Sequence, residues 1–156
     1  YGVERALNES HLQDVLETWG SDVDRSRVHV VGWLDYSSMV RLLQCSACHL
    51  ALSYPYTLSW SVLEAMACGA PLISNHGSPI SSELKHKNNG LLVHFNDSES
   101  LSRSILKLLN TPELRKRLST AARNTIKEHF NISRSIARYD ALFQSLRDGS
   151  LDEATT

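Results

Sequence analysis

From Val28 onward, short apolar runs alternate with stretches whose apolar residues recur every three or four positions. The first pattern predicts buried strands and the second predicts helices packed by one face. Four segments read as strands: "RVHVVGW" (27–33), "HLALS" (49–53), "PLISN" (71–75) and "LLVHF" (91–95). Between the first two, Asp35 or Ser37 caps a helix carrying Met39, Val40, Leu42 and Leu43. Between the next two, a loop "YPYTL" leads into a helix, "SWSVLEAMAC", and the chain then passes through Gly69-Ala70-Pro71 into the following strand. Upstream, Leu12, Val15, Leu16 and Trp19 keep helical spacing between a Ser10 cap and a Gly20 stop.

After Phe95 the pattern is helical only. Asn96 or Asp97 caps a helix with Leu101, Ile105, Leu108 and Leu109 on one face. Thr111-Pro112-Glu113 starts another, with Leu114, Leu118, Ala121, Ala122 and Ile126, since proline costs nothing at a first helical position. Ser133 opens a last helix with Ile136, Tyr139, Leu142, Phe143 and Leu146. Strands alternating with helices imply an α/β fold: a Rossmann-like parallel sheet with helices on both faces and a helical C-terminus. Residues 1–147 read as one partial domain and 148–156 as a flexible tail.

Charge and cysteine content narrow the partners. A formal net charge of −1, without a block of like charge, argues against nucleic acid. No apolar run approaches the ~18 residues of a membrane span. Three cysteines and no signal-peptide core fit a reduced, cytoplasmic setting. The opening "YGVERALNES" has no initiator Met and reads as a piece of a longer chain.

Several conspicuous residues carry plain structural readings. "CSACH" (45–49) matches a haem-attachment pattern, but Cys48 and His49 fall where a helix gives way to a strand, which leaves a haem no room. The scattered histidines offer no paired zinc ligands, so no metal is expected, and His29, His49 and His94 read as core residues. His76 differs, because it follows a strand at the end where parallel sheets line their ligand crevice. Arg115-Lys116-Arg117 reads as a solvated helix face, with peripheral membrane contact as the second reading.

Neither G-x-G-x-x-G nor a P-loop occurs, so a phosphorylated ligand would need another helix N-terminus. "TLSWSVLE" (57–64) is the best offer: Thr57, Ser59 and Ser61 supply hydroxyls beside unpaired first-turn amides. One turn further in, Glu64 is the helix's one charged residue. It is either an ordinary solvated position or an acceptor for a ligand's sugar hydroxyls.

"LSYPYTLSWSVLEAMACGAPLISN" together with "GSPISSELKHKNNGLLVHFND" resembles the C-terminal half of family-4-type (group 1) retaining glycosyltransferases of the two-domain GT-B fold. The resemblance runs from about Val28 to Tyr139 and includes "RVHVVGWL", "NGLLVHF" and "EHFNISRSIARYDALF". It implies that the chain binds the donor, a nucleotide-diphosphate sugar, as substrate, with no cofactor and no essential metal. It implies that Glu64 accepts hydrogen bonds from the ribose and that Ser59, Trp60 and Ser61 offer backbone amides to the diphosphate. Gly32 and Trp33 would border the base, Gly77 would stand in a loop near the donor, and Glu83 would hold that loop. No catalytic residue is assigned within these residues.

Two departures qualify the resemblance. Where the family's first glutamate would contact the donor sugar, this chain has Tyr56, a neutral hydrogen-bond donor. The first two strands of the domain, with their basic pair, and the N-terminal acceptor domain have no counterpart here, so that domain is an implied partner. In the order 3-2-1-4-5-6, strand 28–31 then has no neighbour to pair with, which points to homo-oligomer formation or re-pairing through open strands. A module that binds a nucleotide or a partner without catalysis is the competing reading.

Overall fold

The structure, a computed structural model, describes residues 17, 18, 20, 23–53, 58–77 and 82–149. The upstream helix expected around Leu12–Trp19 lies almost wholly outside them. The chain divides into two units, 1–34 and 35–156.

In the first unit, Arg25–Arg27 form a 3-10 turn, capped by Asp24, whose carboxylate accepts the Ser26 N–H. The expected strand at 27–33 does not form: residues 28–32 join no ladder, and Val28, Val30 and Val31 are exposed. β-branched residues favour extended backbone, but a strand needs a partner for its amides. The described residues therefore form three strands, not four.

The second unit holds a parallel sheet of β1 (His49–Ala51), β2 (Leu72–Asn75) and β3 (Leu91–Val93), in the order β1-β2-β3. That order agrees with strands 4, 5 and 6 of the expected Rossmann arrangement. Alternation along the strands splits the core in two. Leu72 and Leu92 join Val62, Leu63, Met66, Leu84 and Ala122 on one side. Ile73, Leu91 and Val93 join Leu108 and Leu118 on the other. β1 was expected to be buried, yet Leu50 is 45% exposed, because β1 pairs with β2 alone.

Local chemistry sets the helix ends. α1 (Tyr36–Cys45) starts at Asp35, whose carboxylate accepts the Ser38 N–H and the Ser37 and Ser38 hydroxyls. Those bonds hold the Asp35 pKa down to about 2, with Ser37 contributing most. α2 (Trp60–Cys68) ends at Gly69, whose φ of 77° is the left-handed stop that glycine takes at no steric cost. α3 (Ser98–Asn110) is capped by Asp97, which accepts the Ser100 N–H. α4 (Pro112–His129) begins with proline as expected, although the Thr111 side chain makes no capping bond.

α5 (Ile132–Arg147) starts one residue before the expected Ser133, because Asn131 caps it by accepting the Ser133 and Arg134 N–H groups. Its expected core face is uncovered: none of its residues is buried, and Ile136, Tyr139, Phe143 and Leu146 are exposed. Leu109 likewise falls outside the buried stripe of α3, where Leu108 is fully enclosed.

Gly90 packs where no side chain fits. A Cβ there would collide with Leu84 Cδ1 and would sit 3.0 Å from Leu84 Cγ and 3.2 Å from the Leu72 carbonyl oxygen. Leu84 is fully buried and has nowhere to move. Gly90→Ala is therefore expected to destabilise the protein by about 1–3 kcal/mol, as overpacking does. A thermal melt checks this, and an unchanged midpoint would show that the Leu84 pocket yields.

Candidate functional site

α2 is held on three sides, and what remains open defines the site. Val62, Leu63 and Met66 pack against the sheet, and Ala65 packs with Leu43 of α1. At ~100° per residue, the remaining face carries Trp60, Ser61, Glu64 and Ala67; Cys68, at its border, packs partly buried against the cluster of Leu43, Ala65 and Ala70. Trp60 is 80% exposed, and Glu64 is half-buried. Among the described residues, Glu64 makes no hydrogen bond and no ion pair. Its nearest charge effect falls on Cys68, whose thiol is pushed up chiefly by burial, with Glu64 adding to it.

The N-terminus of α2 is equally open. Ser59 is the N-cap residue, but its side chain accepts no backbone bond; its Oγ lies 2.7 Å from Ser61 Oγ. Val62 N–H bonds back to the Ser59 carbonyl, while the amides of Ser59, Trp60 and Ser61 meet no acceptor among the described residues. In a β-α-β unit the helix starts where the preceding strand ends, so Ser59 shares the C-terminal edge of the sheet with the end of β2. Gly77 is at that edge, exposed, with φ 78°. The fold therefore brings Ser59, Trp60, Ser61, Glu64 and Gly77 to one edge of one unit. Gly32 (φ 61°) and Trp33 (78% exposed) belong to the first unit. Tyr56 lies outside the described residues.

His76 follows β2 at the same edge, with its ring centroid 5.2 Å from His94 and 6.2 Å from His86. His94 is exposed, not a core residue, because β3 ends just before it; His29 is exposed as well, and His49 is half-buried. The trio does not make a metal site. His86 Nδ1 accepts the Leu92 N–H at 2.9 Å, which leaves its proton on Nε2 and no lone pair for a metal. Burial, with Lys87, His76 and Lys107 nearby, pushes the His86 pKa below its usual value. Among the described residues, no three His, Cys, Asp or Glu side chains are placed to hold a metal ion.

Other polar residues brace the loops around the site. Glu83 Oε2 pairs with His129 Nδ1 of α4 at 2.8 Å, which gives the expected loop-holding role a partner. Of the basic run, Arg115 caps the Leu108 and Leu109 carbonyls and Arg117 donates to the Lys87 carbonyl, so two of the three cations tie backbone together. Asn75, 3% exposed, was not singled out by sequence, and Asn89, also 3% exposed, was read only as half of the Asn89-Gly90 turn. The available signal was the same for both, an asparagine at the border of an apolar run.

The chain matches the family model "Glycosyl transferases group 1" over residues 24–125. An uncharacterized glycosyltransferase of Methanocaldococcus jannaschii is 28% identical over 139 residues, covering 82% of this chain and 36% of the relative. The sucrose-phosphate synthase of Thermosynechococcus elongatus superposes with a TM-score of 0.77 at 24% identity, over 96% of this chain and 36% of that one. Anabaena Alr3699/HepE, solved with UDP-glucose, gives a TM-score of 0.73 at 18% identity, over 93% and 38%. The chain thus spans about a third of the length of the relatives it matches. No helix among the described residues is long and apolar enough to cross a membrane. The matched stretch takes in all three strands and the helix whose open face carries Glu64, and on that ground the chain belongs to the glycosyl transferases group 1 family.

Proposed function

We propose that these residues are the donor-binding part of a retaining GT-B glycosyltransferase, which moves a sugar from a nucleotide-diphosphate sugar to an acceptor. The observation that carries the proposal is Glu64: a carboxylate with no partner among the described residues, on the open face of α2, one turn from a helix start whose Ser59 makes no side-chain cap. Family membership and the likeness to a protein solved with UDP-glucose support the same reading.

In this reading Glu64 accepts hydrogen bonds from the ribose, and the amides of Ser59, Trp60 and Ser61 hold the diphosphate. Those donors stabilise the negative charge that grows on the departing diphosphate. Gly77 lets the chain turn close to the donor, and the Tyr56 hydroxyl meets the sugar. Transfer takes place at a cleft with an acceptor-binding N-terminal domain, needs no metal, and is absent from this chain alone. The free thiols of Cys45, Cys48 and Cys68 suit a cytoplasmic setting.

Calorimetric titration of UDP, GDP and ADP sugars and their free diphosphates, into this chain and into the full-length protein, tests the proposal. One nucleotide class is expected to bind both. No binding to either folded protein would overturn it. Tyr56, where the family has a carboxylate, favours a second reading: a module that binds without transfer. Binding by the full-length protein without release of nucleoside diphosphate from any acceptor tried would select that reading.

A further inference from the structure

We infer that Asn75 is a positioning residue that locks the donor-facing edge of the sheet; this rests on the donor-binding reading of that edge. The β1–β2 ladder ends at the pair Ala51 and Ser74. Beyond that point the strand ends have no main-chain rungs to keep them in register. Asn75 supplies one from its side chain. Its Oδ1 accepts the Ser53 N–H at 2.8 Å, while its Nδ2 donates to the Ser53 carbonyl at 3.0 Å and to the His76 carbonyl at 3.1 Å.

A carboxamide carries the same donor and acceptor as a peptide, so Asn75 meets both backbone groups of Ser53 as a strand neighbour would. His76 is held in turn by its N–H to the Val93 carbonyl at 2.9 Å. The ends of β1, β2 and β3 are thereby fastened together at one edge. In sequence, this joint leads from Ser53 to the first turn of α2 and from His76 to Gly77. Both are groups that the donor-binding reading sets around one ligand.

Other residue types cannot do this. Aspartate keeps the acceptor but presents an oxygen to two carbonyls, and alanine offers neither group. Ser74 provides the control: its Oγ donates to the Ala51 carbonyl at 2.8 Å, inside the ladder, where main-chain bonds already set the register.

The test compares Asn75→Ala, Asn75→Asp and Ser74→Ala with the unaltered chain by calorimetry with UDP-glucose and UDP, amide hydrogen exchange and thermal melting. Both Asn75 variants are expected to weaken UDP-glucose binding about tenfold, in line with lost buried hydrogen bonds. They are also expected to speed exchange at Ser53 and at Trp60–Val62 about tenfold, with Leu92 and Val93 unchanged. Ser74→Ala is expected to lower the melting temperature while keeping affinity within about twofold. Affinity equal to the unaltered chain in both Asn75 variants, or an equal loss in Ser74→Ala, would overturn the inference. If the unaltered chain binds no nucleotide sugar, the donor-binding reading fails, and exchange decides alone: unchanged protection at Ser53 and Trp60–Val62 rejects the positioning role. Should Asn75→Ala not fold, Asn75→Asp carries the comparison.

Discussion

Glu64→Gln is expected to weaken binding of a nucleotide-diphosphate sugar by about 10- to 100-fold while leaving the melting temperature almost unchanged. The first half of that expectation comes from ligand chemistry. A carboxylate can accept hydrogen bonds from two neighbouring hydroxyls with two equivalent oxygens, and bonds to a charged group contribute about 1.5–3 kcal/mol each. Glutamine keeps one acceptor and turns a donor toward a group that must itself donate. The second half comes from the fold. The Glu64 side chain bonds to no described residue, so its replacement breaks no side-chain bond among them.

Cys48→Ala makes the contrast. Cys48 packs partly buried beside Ile73 and Leu91, where burial holds its thiol pKa up. Its loss should cost some stability and leave donor affinity within about twofold, since a buried free thiol acts as a small hydrophobe. Calorimetry and thermal melts of both variants decide the matter. Equal, trivial effects on affinity would remove Glu64 from the site.

Asn89→Ala is expected to cost about 2–4 kcal/mol of stability, a drop of roughly 5–15 °C in Tm. Asn89 is 3% exposed, and its side chain joins three places in the fold. Its Oδ1 accepts the Lys85 N–H at 2.7 Å, and its Nδ2 donates to the Glu83 carbonyl at 2.8 Å and to Thr125 Oγ1 at 2.9 Å. Thr125 passes the chain on to the Ala121 carbonyl in α4. Truncation removes three hydrogen bonds made by a buried side chain, each contributing about 0.5–1.5 kcal/mol. It also frees the turn that delivers Gly90 against Leu84. Differential scanning calorimetry measures the loss, and a Tm within about 2 °C of the unaltered protein would mean that water satisfies these groups.

Much of the fold was legible because its causes are local. The strands at 49–53, 71–75 and 91–95 were marked by apolar runs, and caps at Asp35 and Asp97 lie within one turn of the amides they serve. Strand 27–33 had the same composition and formed no strand, since β-branched residues without a neighbour leave backbone groups to water. The helix of α5 was read from the spacing of Ile136, Tyr139, Leu142, Phe143 and Leu146, and its apolar stripe is not buried. Amphipathicity states the need and not the occupant, so Ile136 and Phe143 remain exposed among the described residues. Helical spacing could place Glu64 with Trp60 and Ser61. It could not show that Val62, Leu63, Ala65 and Met66 close every other side of that helix.

The order of elements, the helix that carries Glu64 and the family resemblance were readable from the chain alone. Those features depend on residues within about one helical turn of each other or on a contiguous pattern. Which strands pair, that the Glu64 side chain meets no partner among the described residues, and that two asparagines serve as joints were settled by packing. Asn75 meets Ser53 across 22 residues and Asn89 meets Thr125 across 36. A side-chain amide can bond to any backbone that comes within 3 Å or so of it. Which backbone that is depends on how the whole chain packs.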